Sequence, residues 1–83
     1  MTNYKELLAQ VLSGRSDANI RYDELCHLLS RLGFFDRMRG SHHIFAKPGV
    51  DGQINLQPHG RMAKKYQVKQ VRKVLTDYGP FEI

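Results

Sequence analysis

The sequence has little that would suit a membrane or an oxidising compartment. No apolar run approaches the roughly 20 residues that span a bilayer, and no basic segment followed by an apolar stretch stands at the N-terminus. The single cysteine, Cys26, cannot form a disulfide within the chain. We therefore expect a soluble protein of the cytoplasm.

Acidic residues are absent from one stretch near the C-terminus. Between Arg61 and Lys73 the sequence has six Lys and Arg residues and no Asp or Glu, and the whole chain has a formal net charge of +5. Clustered cations favour an anionic partner, which can be a nucleic acid, an acidic protein or a membrane surface. A solvated helix face is the plainer interpretation, and the cluster alone does not choose among these.

Motifs for nucleotide and metal binding are also missing. The sequence has no Gly-rich phosphate loop of the Walker or dinucleotide type. A structural zinc site needs four closely spaced ligands, and Cys26, His27, the pair at 42–43 and His59 follow no such pattern. Cys26 lies in a leucine-rich helical stretch, so we interpret it as a small core residue and not as a nucleophile. We expect no metal or cofactor.

With 83 residues the chain is long enough for one domain. The spacing of Leu and Val residues predicts a helix over residues 3–13, capped by Thr2 and ended by Gly14. The polar stretch that follows indicates a linker. Residues 1–19 are therefore expected to be an addition to a core at about residues 20–78, and this core is expected to tolerate loss of the first helix.

A second helix and three strands follow the linker. A leucine stripe predicts a helix from Tyr22 to Leu32, with Gly33 after its end. Three short aromatic or β-branched segments separated by Gly and Pro-Gly turns then predict three antiparallel strands, FFDRMRG, SHHIFAKPG and DGQINLQP. In the third, Ile54 and Leu56 alternate with polar residues, which predicts one buried and one polar face.

The last predicted helix has an apolar and a basic side and ends at Gly79-Pro80. Its apolar side is expected to carry Val68, Val71, Leu75 and Tyr78, and its basic side Lys65, Lys69, Arg72 and Lys73. The predicted order is α-α-β-β-β-α. We therefore expect an α+β fold in which a three-stranded antiparallel sheet is backed by helices on one face.

Two adjacent histidines, His42 and His43 in the segment RGSHHIF, open the second predicted strand. Because side chains alternate along a strand, His42 shares a face with Ile44, and His43 shares the other face with Phe45. Ile44 and Phe45 are both good core residues. The pattern therefore leaves open which histidine faces solvent.

Several features favour a chemical role for this segment over a purely structural one. Gly40 at the strand entrance allows a ligand to approach the backbone, and the Ser41 hydroxyl can bond a phosphate oxygen. His59 lies after the third strand, immediately before the basic run. Histidine takes or gives a proton near neutral pH, and cations stabilise a phosphorane-like transition state. Together these suit RNA cleavage without a metal.

The segments LLSRLGF, RGSHHIFAKPG and INLQPHGRMAKKYQVKQVRKVL are similar to the HicA (YcfA-like) toxin family of bacterial toxin–antitoxin systems, from about Tyr22 to Leu75. The resemblance implies a fold like that of double-stranded-RNA-binding domains, ribosome-independent cleavage of mRNA and neutralisation by a HicB antitoxin. It places the catalytic histidine at His42, with His43 as the alternative. The helix over residues 3–13 lies outside the usual family core.

With this resemblance we interpret the chain as an mRNA interferase, an endoribonuclease toxin. His42 is expected to be its general base or acid, with His43 as the orienter or substitute. RNA is expected to contact Gly40, Ser41, His59, Arg61, Lys64, Lys65, Lys69 and Arg72. The alternatives are a non-catalytic RNA-binding module of the same fold and a degenerate toxin that only binds its partner.

Overall fold

The computed structural model describes residues 2–83 and has the predicted order of helices and strands. The helices are Tyr4–Ser13 (α1), Tyr22–Arg31 (α2) and Lys65–Tyr78 (α3), with a short 3-10 helix at Asp17–Asn19. The strands are Phe35–Arg39 (β1), His42–Ala46 (β2) and Ile54–Leu56 (β3). They form one antiparallel sheet in the order β1-β2-β3, which confirms the α+β class. No helix within residues 2–83 has the length and apolar character of a membrane span.

Helix α1 is capped by Asn3, so the prediction of Thr2 is wrong. The Asn3 side-chain oxygen accepts hydrogen bonds from the backbone N–H groups of Lys5 (3.1 Å) and Glu6 (3.2 Å). These are two of the donors that the start of a helix leaves without partners. At the other end Gly14 has the left-handed conformation, with φ 70°, that ends helices without strain only at glycine or asparagine.

The strand register sorts the side chains of the sheet into two faces. His43 lies opposite Leu56, and Phe45 lies opposite both Ile54 and Asp36. Paired residues share a face, so the helix face carries Asp36, Met38, His43, Phe45, Ile54 and Leu56. The opposite side, which we call the open face, carries Phe35, Arg37, Arg39, His42, Ile44, Ala46 and Asn55.

The hydrophobic core lies between the helix face of the sheet and the three helices. Phe45 and Leu56 are fully buried, and Ile54 is almost so. They pack in one cluster with Leu7 and Val11 of α1, Leu25, Leu28 and Leu29 of α2, and Val68, Val71 and Leu75 of α3. Ile44 is buried outside this cluster, as its place on the open face requires.

Two details of the helical pattern differ from the sequence predictions. Tyr78, expected on the buried side of α3, is 39% exposed because the apolar stripe ends one turn earlier at Leu75. The expected linker at residues 15–19 contains the 3-10 helix, in which Asp17 is buried. The segment before α2 is thus built into the fold, since Ile20 also accepts a backbone hydrogen bond (2.8 Å) from Ala63.

Candidate functional site

His42 lies on the open face and is tied to the neighbouring strand. Its Nδ1 is 2.7 Å from the Oδ1 of Asn55 on β3. An amide oxygen only accepts hydrogen bonds, so the imidazole Nδ1–H is the donor. In the neutral ring this leaves Nε2 with a free lone pair. His42 is only partly buried, so this ring has the arrangement that a general base needs.

His43 lies on the helix face, and its ring has contacts on several sides. Its Nδ1 is 3.1 Å from both carboxylate oxygens of Asp36. The ring stacks on Phe45 with centroids 6.1 Å apart, and it meets the edge of Tyr22 at 6.0 Å. The prediction that the two histidines point to opposite faces is confirmed by the register, so the two rings belong to different surfaces.

A cleft of ≈170 Å³ adjoins His43 between the sheet and α2. It is lined by Tyr22, Asp23, Cys26, His27, Ser30, Asp36 and His43. Burial raises the pKa of the Cys26 thiol to about 11, which keeps the sulfur protonated and unreactive. Cys26 is a core residue, as predicted. Residues 2–83 contain no group of three or more His, Cys, Asp or Glu side chains placed to hold a metal ion.

Gly40 and Ser41 form the turn between β1 and β2, directly before His42. Gly40 has a φ of 62°, a conformation that side chains other than glycine adopt at a cost. The Ser41 hydroxyl accepts a hydrogen bond of 3.3 Å from the Gln57 side chain. The turn therefore places a hydroxyl directly before His42 in the chain, and its contact with a phosphate stays a prediction.

Most of the predicted basic residues surround the start of α3. His59, Arg61, Lys64 and Lys65 line a pocket of ≈410 Å³ together with Ala18, Met62 and Ala63. None of these seven lining residues is acidic. Lys69 follows one helical turn after Lys65. This group, which we call the basic pocket, is suited to bind phosphate oxygens.

Arg72 is the exception among the predicted RNA contacts. Its guanidinium donates to both carboxylate oxygens of Asp17, at 2.8 and 3.1 Å, and to the backbone oxygen of Val11 at 3.1 Å. The hydrogen bonds from Arg72 hold the pKa of the Asp17 carboxyl below its usual value. Arg72 thus holds α3 to the N-terminal segment. Its guanidinium N–H groups are used in these contacts and are poorly placed to bind a phosphate.

Three residues of the site were missed by reasoning from the sequence. The sequence patterns marked Asn55 only as a polar residue of the third strand and gave Asp36 no role. Only the strand register brings Asn55 to His42 and Asp36 to His43. Tyr66 is 60% exposed on α3, with its hydroxyl 3.3 Å from Nε2 of His59, and no local pattern distinguishes it from a buried aromatic residue.

A comparison with known protein families finds a match. The chain matches the family model described as HicA toxin of bacterial toxin-antitoxin over residues 22–76. This range holds α2, the whole sheet, both histidines and nearly all of α3, and it leaves out α1. No curated protein and no solved structure shows a significant match to the chain.

Proposed function

The chain belongs to the HicA toxin family of bacterial toxin–antitoxin systems, and we propose that it is an endoribonuclease that cleaves mRNA without the ribosome. The observation that supports this most directly is the placement of His42. Its ring lies partly exposed on the open face, with Nδ1 bonded to Asn55 and Nε2 left to act on a substrate. His43, in contrast, is packed between Tyr22 and Phe45.

The proposed reaction uses the ribose 2′-hydroxyl of the RNA as the nucleophile. Nε2 of His42 removes its proton, the 2′-oxygen forms a bond to the adjacent phosphorus, and the bond from phosphorus to the 5′-oxygen breaks. The 5′-oxygen then takes up a proton from the imidazolium or from water, which leaves a cyclic phosphate and a 5′-hydroxyl. A positioned general base contributes roughly 10²–10⁴ in rate.

RNA binding is proposed at the basic pocket and along α3. Arg61, Lys64, Lys65 and Lys69 would neutralise backbone phosphates, and Ser41 would contact the phosphate at the cleaved bond. Tyr66 lies beside this cluster and is 60% exposed, so its ring offers a base a surface for stacking. Since mRNA is the substrate, we place the activity in the cytoplasm.

A partner antitoxin follows from membership of the family, and we propose a HicB-like protein that covers the open face. Two features of that face support this. Phe35 is 70% exposed there, and Arg37 and Arg39 share the face with His42. An apolar surface with acidic residues would match both and would block Nε2 of His42.

The cleavage proposal is tested with purified protein and labelled single-stranded RNA in the presence of EDTA. We expect cleavage products that end in a cyclic phosphate. RNA binding without cleavage would favour the alternative, a non-catalytic RNA-binding module. Neither binding nor cleavage, together with a stable antitoxin complex, would favour a degenerate toxin that only binds its partner.

A further inference from the structure

The contact between His42 and Asn55 crosses from one strand to the next. Asn55 lies opposite Ile44 in the register, so His42 is its diagonal neighbour on the same face, within reach of a side-chain hydrogen bond. The distance from Nδ1 of His42 to Oδ1 of Asn55 is 2.7 Å, which is shorter than the 3.1 Å from Nδ1 of His43 to the Asp36 carboxylate.

We propose that Asn55 is the positioning residue of His42 and holds the imidazole in the tautomer whose proton is on Nδ1. This inference rests on the proposed endoribonuclease function and deepens it. In a neutral imidazole, the hydrogen bond made by one ring nitrogen decides which of the two nitrogens carries the proton. An acceptor at Nδ1 therefore keeps Nε2 unprotonated in the neutral ring, and Nε2 is the atom that the proposed reaction requires.

The chemical type of the partner supports a base that works in its neutral form. An amide orients the ring without adding charge, whereas a carboxylate would stabilise the imidazolium and so keep Nε2 protonated. The sheet uses both types, with the amide of Asn55 at His42 and the carboxylate of Asp36 at His43. The charged residues of β1 that share the open face with His42 are Arg37 and Arg39, and β3 contributes only the uncharged Asn55 to this face.

The tautomer is measured directly, without RNA, by two-bond ¹H–¹⁵N NMR correlation of the His42 ring. We expect a proton on Nδ1 in the wild-type protein. Asn55→Leu should abolish this preference because leucine has no acceptor, and Asn55→Asp should keep it because a carboxylate accepts as well. Asn55 is exposed, so both variants should keep the fold, and Gln53→Leu is a matched control for an exposed leucine beside β3.

The cleavage rates give the second measurement. Asn55→Leu should lower kcat by roughly 10–100-fold, the range found when a metal-bound histidine loses its hydrogen-bond partner. KM should change little, because the proposed role of the amide is to orient the ring and not to bind RNA. Asn55→Asp should move the acidic limb of the rate profile to higher pH.

Two outcomes would overturn the assignment. One is a wild-type ring with its proton on Nε2, and the other is an Asn55→Leu variant that keeps both tautomer and rate. If Asn55→Leu is unfolded, as shown by its amide spectrum, Asn55→Asp still decides through the tautomer and the pH profile. If the wild-type protein cleaves no RNA, the proposed function fails, and the tautomer measurement still judges the role of Asn55.

Discussion

His42 and His43 are neighbours with the same side chain but different surroundings. The open face leaves His42 with one polar partner on β3 and a free Nε2. His43 is bound to Asp36 and lies against Phe45, which is fully buried. Removing the first ring should therefore affect chemistry, whereas removing the second should affect packing.

Replacing His42 by alanine should abolish most cleavage while leaving the fold intact. A lost general base lowers the rate by roughly 10²–10⁴, and substitutions at partly exposed positions usually change stability by about 0.5 kcal/mol or less. Replacing His43 by alanine should instead destabilise the protein by about 1–3 kcal/mol and leave part of the activity. Cleavage rates and thermal melting of both variants, measured in one buffer, test the pair.

The reverse result has a definite meaning. If His42→Ala stays active and His43→Ala is folded and inactive, the reaction belongs to His43, Asp36 and the cleft beside them. If both variants stay active, neither ring is the base, and His59 beside Arg61 in the basic pocket is the next residue to replace.

At the scale of helices and strands, local sequence patterns predicted most of the fold. The leucine stripe of α2, the apolar alternation in β3 and the glycine at the end of α1 each depend on neighbours within a few residues. The buried Asp17 and the partner of His42 depend on residues 55 and 13 positions away along the chain. Such contacts come from packing and strand register, which short patterns do not encode.

The Asp17–Arg72 pair joins two elements that the family match separates. Asp17 lies before the matched range of 22–76, and Arg72 lies inside it. Arg72 also donates to the carbonyl oxygen of Val11 in α1. The N-terminal segment thus anchors the helix that carries the basic residues, which argues against the expectation that the core tolerates loss of α1.

Breaking this pair should be costly. Removing one partner of a buried ion pair costs about 3–5 kcal/mol, and because the Arg72 side chain is 23% exposed we expect about 3 kcal/mol for Arg72→Ala. Thermal melting should show this as a fall of about 4–8 °C per kcal/mol. Lys73→Ala is the matched control, since its pair with Asp77 is exposed on the same helix and should contribute less than about 1 kcal/mol.

The same pair gives the stability a dependence on pH. The pKa of Asp17 is lowered in the folded state, so its contribution is complete above the unfolded pKa and is lost as the pH falls through the folded value. Melting of Asp17→Asn should therefore depend less on pH in the acidic range than melting of the wild type. Equal slopes for the two proteins would show that Asp17 has no part in acid unfolding.

At the scale of the whole molecule, positive charge is concentrated at the surface where we propose that RNA binds. The chain has a formal net charge of +5, and the basic pocket concentrates cations at the start of α3. Binding through phosphates releases counterions, so affinity should fall steeply with salt.

The salt dependence is measured with a folded but inactive His42→Ala variant and single-stranded RNA. Four contacted phosphates at about −0.7 each give a log–log slope near −3. Lys65→Ala and Lys69→Ala should each reduce the slope by about 0.7, whereas Lys5→Ala on α1 should leave it unchanged. A flat response to salt would remove the basic pocket from the proposal.

The open face and the basic pocket make different demands on the proposed antitoxin. A partner that neutralises the toxin by covering His42 must contact Phe35, Arg37 and Arg39, which share that face. Co-expression with the product of the adjacent reading frame should therefore give a stable complex without nuclease activity. Arg37→Glu should weaken this complex by placing an acid against the acidic surface of the partner, whereas Lys5→Glu on α1 should leave it intact. A complex that cuts RNA as fast as the free protein, or two proteins that fail to co-purify, would show that the open face is not where this toxin is held inactive.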